Sequence, residues 1–415
     1  MHILDYLDKA EDAIHVDEKS EVRFEPRLDE DSVRVEYRLI CSGMFYPKHF
    51  MGDWSHSDGA RILLSLPVEL LVASRPYDDY PQELALRFIA PLESETDGSI
   101  SHSYHPDSEI ASDVAALLTL LCRRLVTVSV KLREQYDCIH VPPILADYPI
   151  PSVTTMRMSH WKERPLHFLY GRENVEVKSY APPQLAFDST EIMGTLLALP
   201  KLGVAPAIVR AARLYASAME RIESQPEMCY QLFISAAETI AGAVLEAWEP
   251  NTNGKIASKS ALVAYATKTE KLGKEVAERL ALEACKDNPW SSRKFRKFLL
   301  DNLNREAINR EDDLFIVPEE FCPKDDEIEK ALGEIYQSRS GATHSGRSYP
   351  ASAVIGPSTS VPVKAFDAIL SEKRPFPPIG WFERVVNNAI CGFLRSQVKQ
   401  LAPLPTQPRE ESADE

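Results

Sequence analysis

The sequence predicts an α+β protein: a strand-rich first part, residues 1–200, carrying one long helix, and an all-helical second part, residues 201–401. Three observations predict it. Val33, Val35, Tyr37 and Leu39 alternate with polar residues, as a half-buried strand requires. Ile110, Val114, Leu117, Leu118, Leu121, Leu125, Val128 and Leu132 keep a helical spacing. Beyond about Pro200, one amphipathic helical pattern follows another. A chain of 415 residues, 44% hydrophobic and 26% charged, is ordinary globular material of two or three domains.

The elements follow in order. After the strand over 33–39, further strands are expected at 60–66, 68–73, 84–90, 166–170 and 175–178, separated by Pro and Asp-Gly punctuation. Between them a helix runs over 107–133, with Pro106 and Ser108 as its start signals. In the second part, helices are expected at 206–222, 226–248, 258–285, 292–303, 323–339 and 380–400. Proline opens three of these, where its missing N–H costs nothing. The last places Trp381, Phe382, Val385, Val386, Ala389, Ile390, Phe393, Leu394 and Val398 on one broad face, the mark of a bundle helix turned to the core. Residues 402–415 read as a disordered tail.

Charge and composition exclude several classes. Lys and Arg total 47 against 62 Asp and Glu, a formal charge of −15. A uniformly basic nucleic-acid coat is therefore excluded, and any phosphate contact needs a local patch. The longest apolar stretch, 114–122, is closed by Asp113 and Arg123, far short of the roughly 20 residues of a membrane span. No membrane contact is expected. The first 30 residues are acidic and show no secretory pattern. Seven cysteines, at 41, 122, 138, 229, 285, 322 and 391, form no C-x-x-C pair. They read as reduced thiols of a cytoplasmic protein. Phosphate loops of Walker or dinucleotide type, H-E-x-x-H, G-x-S-x-G and EF-hand loops are all missing from the sequence, so no cofactor is expected.

Six of the ten histidines precede residue 110, among them His49, His56, His102 and His105. His102 and His105 are close enough in sequence to share a metal, but no cysteine or acidic residue stands beside them at ligand spacing. Solvated loop imidazoles are the better reading, and no metal is expected.

The segment that stands apart is Glu334-Ile-Tyr-Gln-Ser-Arg339-Ser-Gly-Ala-Thr-His344-Ser-Gly-Arg347, with two arginines and a histidine within nine residues. Histidine titrates near neutrality and can move a proton on or off a hydroxyl. Arginine can hold a phosphate and stabilise charge building on it. Together they suit metal-free cleavage of RNA, in which the ribose 2′-OH is the nucleophile. On an unbroken helix, residues five apart sit about 140° from each other around the axis. Arg339 and His344 therefore converge only if the helix breaks at Gly341 or two chains pool their residues. From the residues alone a second reading is the favoured one: a helix C-terminus whose Arg339 and His344 complement the macrodipole, with Gly341 as terminator.

The string from Tyr336 to Gly346 resembles the R-x4-6-H signature of the HEPN superfamily. Ala207-Ile-Val-Arg-Ala-Ala-Arg-Leu-Tyr-Ala and Tyr230-Gln-Leu-Phe-Ile-Ser-Ala-Ala-Glu238 resemble the opening helices of its Apea-like branch. Arg293-Lys-Phe-Arg-Lys-Phe and the closing helix also fall where that branch has helices, so the resemblance covers about half of the chain. It implies an all-α HEPN-like bundle over 201–401 that forms a homodimer and acts as a metal-independent endoribonuclease. Arg339 and His344 would line a shared cleft, and Glu238 would match the family's acidic residue on an early bundle helix. Ser340 takes the polar position after the arginine, and Arg347 would assist RNA binding. The N-terminal part would then sense a trigger or hold a regulatory partner, as in toxin and antiphage-defence members.

Two supporting features are readable from the residues. Glu227, Gln231, Ser235, Glu238, Gly242 and Glu246 share one stripe of their helix, opposite Tyr230, Phe233, Ala237, Ile240 and Val244. The stripe fits either a solvated face or a carboxylate aimed at Arg339. Lys286, Arg293, Lys294, Arg296 and Lys297, interleaved with Trp290, Phe295 and Phe298, form the best candidate RNA patch. The same run also fits an amphipathic helix with Phe295, Phe298 and Leu299 in the core. Arg123, Arg124, Lys131 and Arg133 read as a solvated face. A rival to the nuclease remains: a catalytically inactive bundle serving dimerisation or nucleotide binding. Metal-dependent hydrolysis at the N-terminal histidines is a third reading.

Overall fold

The computed structural model describes residues 4, 14–16, 22–24, 32–41, 44–47, 61–64, 69–72, 82–91, 107–136, 184–187, 189–222, 224–248, 259–284, 291–308, 322–350, 353 and 376–401. Two short pairs, β1 (Ile14–Val16) with β2 (Val22–Phe24), antiparallel, and β4 (Met44–Pro47) with β9 (Gln184–Phe187), parallel, are separate from the main sheet. That sheet is five-stranded and antiparallel, in the order β5 (Arg61–Leu64), β6 (Glu69–Val72), β7 (Gln82–Pro91), β3 (Ser32–Cys41), β8 (Val126–Tyr136). The period-two reading of β3 holds: Val35, Tyr37, Leu39 and Cys41 are buried. Val35 pairs with Phe88 and Tyr37 with Leu86 on β7. The strands expected at 166–170 and 175–178, and the tail over 402–415, lie outside the described residues.

The helix expected over 107–133 is two elements. Helix α1 (Asp107–Cys122) lays Ile110, Val114, Leu117 and Leu118 on the core, and the chain then leaves as β8. Val126, Thr127, Val128 and Val130 are β-branched and fit a pleated surface better than a helix. The break itself is Arg123, held at φ 52, the left-handed conformation that usually closes helices with glycine. Thr119 ties the turn: its hydroxyl donates to the Ala115 carbonyl at 2.8 Å and accepts from the Val126 N–H at 3.0 Å.

Helix α2 (Ser189–Ala198), which the sequence reading did not anticipate, leads through a 3-10 turn into the helical part. There follow α3 (Ala205–Arg221), α4 (Pro226–Val244), α5 (Lys259–Lys268), α6 (Lys274–Ala284), α7 (Ser291–Asn302), α8 (Arg305–Ile308), α9 (Ile328–Ser345) and α10 (Ile379–Gln400). The single helix expected over 258–285 divides at 269–273, where Lys271 takes a φ of 54. Helix α9 begins five residues later than Pro323 suggests and runs six residues past Arg339.

Helices α3, α4, α7, α9 and α10 share an aromatic core. Phe382 stacks on Tyr230 at 5.8 Å and meets Phe233 edge-on at 6.2 Å and Phe295 at 6.5 Å. The apolar face expected on α10 is buried from Trp381 to Leu394. So, unexpectedly, are Glu383, Arg384 and Asn387, so this helix is enclosed on more than one side. It approaches α7 at Gly392, where an added Cβ would lie 2.5 Å from the Asn302 carbonyl oxygen.

Residues on both sides of position 200 enter one apolar cluster, because α1 packs on the sheet with one face and against α3 and α10 with another. Asp113 on α1, fully buried, takes both Nε and Nη2 of Arg213 on α3, the latter at 2.9 Å. Arg123 is not solvated either. Its Nε and Nη2 donate to Glu383 on α10 at 3.1 and 2.5 Å, and the Tyr215 hydroxyl donates to the same carboxylate. Arg124 is buried, donating to the Arg123 carbonyl at 3.0 Å, and Lys131 lies over the Tyr37 ring at 5.8 Å. The solvated-face reading is corrected at Arg123, which meets an element remote in sequence, and at Arg124, which is buried, while Lys131 is half-buried. The Arg133 side chain lies outside the description.

Candidate functional site

Helix α4 presents the stripe that carries Glu238 to one edge of the bundle while Tyr230, Phe233, Ala237 and Ile240 enter the core. Helix α9 packs against both α4 and α7 by Ile328, Ala331, Leu332 and Ile335. That anchoring sets the next turn, Tyr336 and Arg339, over the α4 stripe. Arg339 Nη2 lies 3.3 Å from Glu238 Oε2, and the Tyr336 hydroxyl donates to Glu238 Oε1 at 2.6 Å. The guanidinium also sits 5.7 Å from the centre of the Tyr336 ring, within cation–π range. The paired side chains keep 26% and 20% of their surface exposed, so the group is rimmed by solvent rather than sealed.

Ser291, the first residue of α7, stands 2.8 Å from the Tyr336 hydroxyl. Burial holds the Tyr336 phenol above its ordinary value, and the hydrogen bond to Glu238 raises it further. Tyr349 returns toward the site after the helix ends. It stacks on Tyr230 at 5.6 Å, and its buried hydroxyl has no hydrogen-bond partner among the described residues. Burial raises its phenol too, while the nearby Arg339 charge works in the opposite direction.

Gly341 does not break α9. The helix continues to Ser345 and ends at Gly346, whose φ of 61 reverses the chain and lets the Arg347 N–H donate to the Gly341 carbonyl at 3.2 Å. The terminator reading of Gly341 is therefore corrected by five residues. A Cβ at position 341 would meet Arg347 Cβ and Cδ at 3.7 Å, an ordinary contact, so the fold does not require glycine there. Because the helix is unbroken, Arg339 and His344 point about 140° apart within one chain. His344 is exposed, as is Arg347, while Ser340 is half-buried on the same last turns.

The expected RNA patch is only partly a surface. Phe295, Phe298, Leu299 and also Lys294 are buried, the Lys294 ammonium donating to the Glu246 carbonyl at 3.1 Å. Lys294 is thus corrected from a phosphate contact to a tie between α7 and the turn that follows α4. Arg296 pairs with Glu329 at 3.6 Å, and Lys297 with Asp301 at 2.7 Å while lying 5.6 Å over the Trp248 ring. Arg293 is exposed in the first turn of α7, two residues from Ser291. Lys286 and Trp290 lie outside the described residues.

Ser291 and Tyr349 had not been singled out. Nothing near either one marks it; each becomes visible only when separate elements meet. His49, His56, His102 and His105 fall outside the described residues, and among the described ones no three His, Cys, Asp or Glu side chains are grouped to hold a metal ion. Cys41, Cys122, Cys229, Cys322 and Cys391 carry free thiols. Burial pushes Cys122 well up and Cys391 to about 11, which makes both poor nucleophiles. No described helix is long and apolar enough to cross a membrane. Comparison of the chain with protein-family models, with curated proteins and with solved structures gives no match.

Proposed function

We propose that residues 201–401 form a HEPN-like bundle that dimerises and cleaves RNA without a metal. The observation that carries the proposal is the half-exposed Arg339, held by Glu238 and Tyr336, one and a half turns before an exposed His344. A guanidinium fixed by a carboxylate on one edge still offers its other N–H donors to a phosphate. In the reaction, one copy of His344 takes the proton of the ribose 2′-OH as its oxygen attacks the adjacent phosphorus. The 5′ oxygen leaves with a proton from the second copy. The products are a 2′,3′-cyclic phosphate and a 5′-hydroxyl end. Arg339 stabilises the charge that accumulates on the non-bridging oxygens. The 140° separation on one helix favours a cleft lined by two chains, since one α9 alone cannot aim both groups at one phosphate. Arg347, Ser340 and Arg293 would line the approach.

The same ion pair supports the rival reading, an inactive bundle in which Glu238 neutralises Arg339 for dimerisation or nucleotide binding. One assay separates them. Wild type and folded Arg339→Ala and His344→Ala variants are incubated with mixed cellular RNA in EDTA. Loss of the general acid/base is expected to cost about 10²- to 10⁴-fold, and loss of the arginine about 10²- to 10³-fold. Cyclic-phosphate ends made by wild type alone support the nuclease. Cleavage that persists in both variants overturns it, and a wild type that leaves RNA intact favours the scaffold.

A further inference from the structure

Arg339 does not meet Glu238 alone; the contacts continue across three helices. Glu238 lies on α4, Tyr336 and Arg339 on α9, and Ser291 at the start of α7. The phenol owns one proton, and it goes to Glu238 Oε1 at 2.6 Å. The 2.8 Å contact with Ser291 must then have the serine as donor and the phenol oxygen as acceptor. The order of donation is therefore settled: Ser291 to Tyr336, Tyr336 to Glu238, with Arg339 meeting the second carboxylate oxygen at 3.3 Å. The ring of Tyr336 is itself clamped, 5.4 Å from Phe295, which is fully buried.

From this we infer that Tyr336 is a positioning residue for Arg339, and that Ser291 sets the direction of its hydroxyl. The inference rests on the reading of Arg339 as the phosphate-facing group of the proposed nuclease. Tyr336 acts on the arginine twice. Its ring lies beneath the guanidinium, and its hydroxyl occupies Oε1 of Glu238, leaving Oε2 as the oxygen that the arginine meets. A carboxylate with both oxygens open would let the guanidinium swing between them. With one oxygen taken, the plane of the guanidinium has a single resting place, which is what a group that must stabilise a transferring phosphate needs. The device is local to α9, since Tyr336 and Arg339 are three apart and share a helix face.

The test reads the arginine directly, so it does not depend on nuclease activity. Full-length protein is treated with an arginine-specific dicarbonyl reagent, and labelling of Arg339 is followed by peptide mapping against exposed Arg210 as the internal reference. The reagent must close on both terminal nitrogens, so a held guanidinium reacts slowly. Tyr336→Phe keeps the ring and removes the hydroxyl; it is expected to speed Arg339 labelling about 2- to 10-fold, the size of one net hydrogen bond. Ser291→Ala is expected to give a smaller rise and Glu238→Gln the largest. If Tyr336→Phe fails to fold, Ser291→Ala and Glu238→Gln carry the same comparison. Unchanged labelling in folded Tyr336→Phe, or wild-type Arg339 reacting as fast as Arg210, overturns the inference. RNA cleavage on the same samples is a separate readout: the positioning role predicts a fall in kcat with KM unchanged. A wild type that cleaves no RNA sinks the nuclease while the labelling still decides the role of Tyr336.

Discussion

Two glutamates keep the same company in different surroundings. Glu383 receives Arg123 and Tyr215; Glu238 receives Arg339 and Tyr336. Glu383 is wholly buried and joins α10 to the end of α1, 260 residues away. Glu238 keeps 20% of its side chain exposed, at a bundle edge where salt and water screen the pair. Chemical identity is thus a poor guide to role. Burial turns one arginine–glutamate–tyrosine group into a tie between the sheet-bearing part and the bundle, and partial exposure leaves the other able to meet a ligand. The tie also explains Arg123: a left-handed arginine costs about 1–3 kcal/mol of backbone strain, which its bidentate grip on Glu383 offsets.

The comparison breaks most visibly on deletion of the acids. Glu383→Ala strips a partly buried arginine of its counter-charge and the buried Tyr215 hydroxyl of its acceptor, and should lower unfolding free energy by about 3 kcal/mol in urea. Glu238→Ala should cost about 1 kcal/mol or less by the same measurement. Equal losses would end the distinction. The tyrosines sharpen it: Tyr215→Phe removes a bond to a fully buried charge and should cost about 1.5–3 kcal/mol, against about 1 kcal/mol for Tyr336→Phe.

Alkaline titration supplies the next contrast. Burial, then the Glu383 charge, raise the Tyr215 phenol well above its ordinary 10.0. A group whose folded value is raised contributes stability in full below the unfolded value, and that stability is lost as pH climbs through the folded value. Unfolding above about pH 10 should therefore coincide with a rise in near-ultraviolet phenolate absorbance, and Tyr215→Phe, less stable at neutral pH, should lose unfolding free energy less steeply as pH climbs above about 10. The smallest effect is ionic. Raising salt from 0.1 to 1 M, which cuts the Debye length from about 10 to 3 Å, should weaken the contribution of Arg339–Glu238 and leave Arg123–Glu383 nearly unchanged in double-mutant cycles.

How much of this was legible in the sequence follows the range of the interactions. The alternation of Val35, Tyr37 and Leu39 and the apolar face of α10 are local patterns, and both stand in the structure. The stripe on α4 was legible as a stripe, with its partner left open between solvent and Arg339; the 3.3 Å contact resolves that choice. The end of α1 was missed because the apolar spacing through Leu132 fits a helix, while the β3 edge that claims 126–136 lies far off in sequence. Arg123 and Lys294 were misplaced for the same reason: a cation's partner cannot be read from its neighbours. Gly341 and Gly346 look alike as letters. Only the second must take a positive φ, because the helix turns back there.

The most direct measurement sets Glu238→Gln beside Glu383→Gln, each assayed for melting temperature and for RNA cleavage in EDTA well below melting. The account predicts a crossed result. Glu238→Gln should melt near wild type yet cleave about 10- to 100-fold more slowly, the worth of one hydrogen bond to a charged group. Glu383→Gln should melt several degrees lower and, while folded, cleave at the wild-type rate. A folded Glu238→Gln that cleaves RNA as fast as wild type would contradict the account.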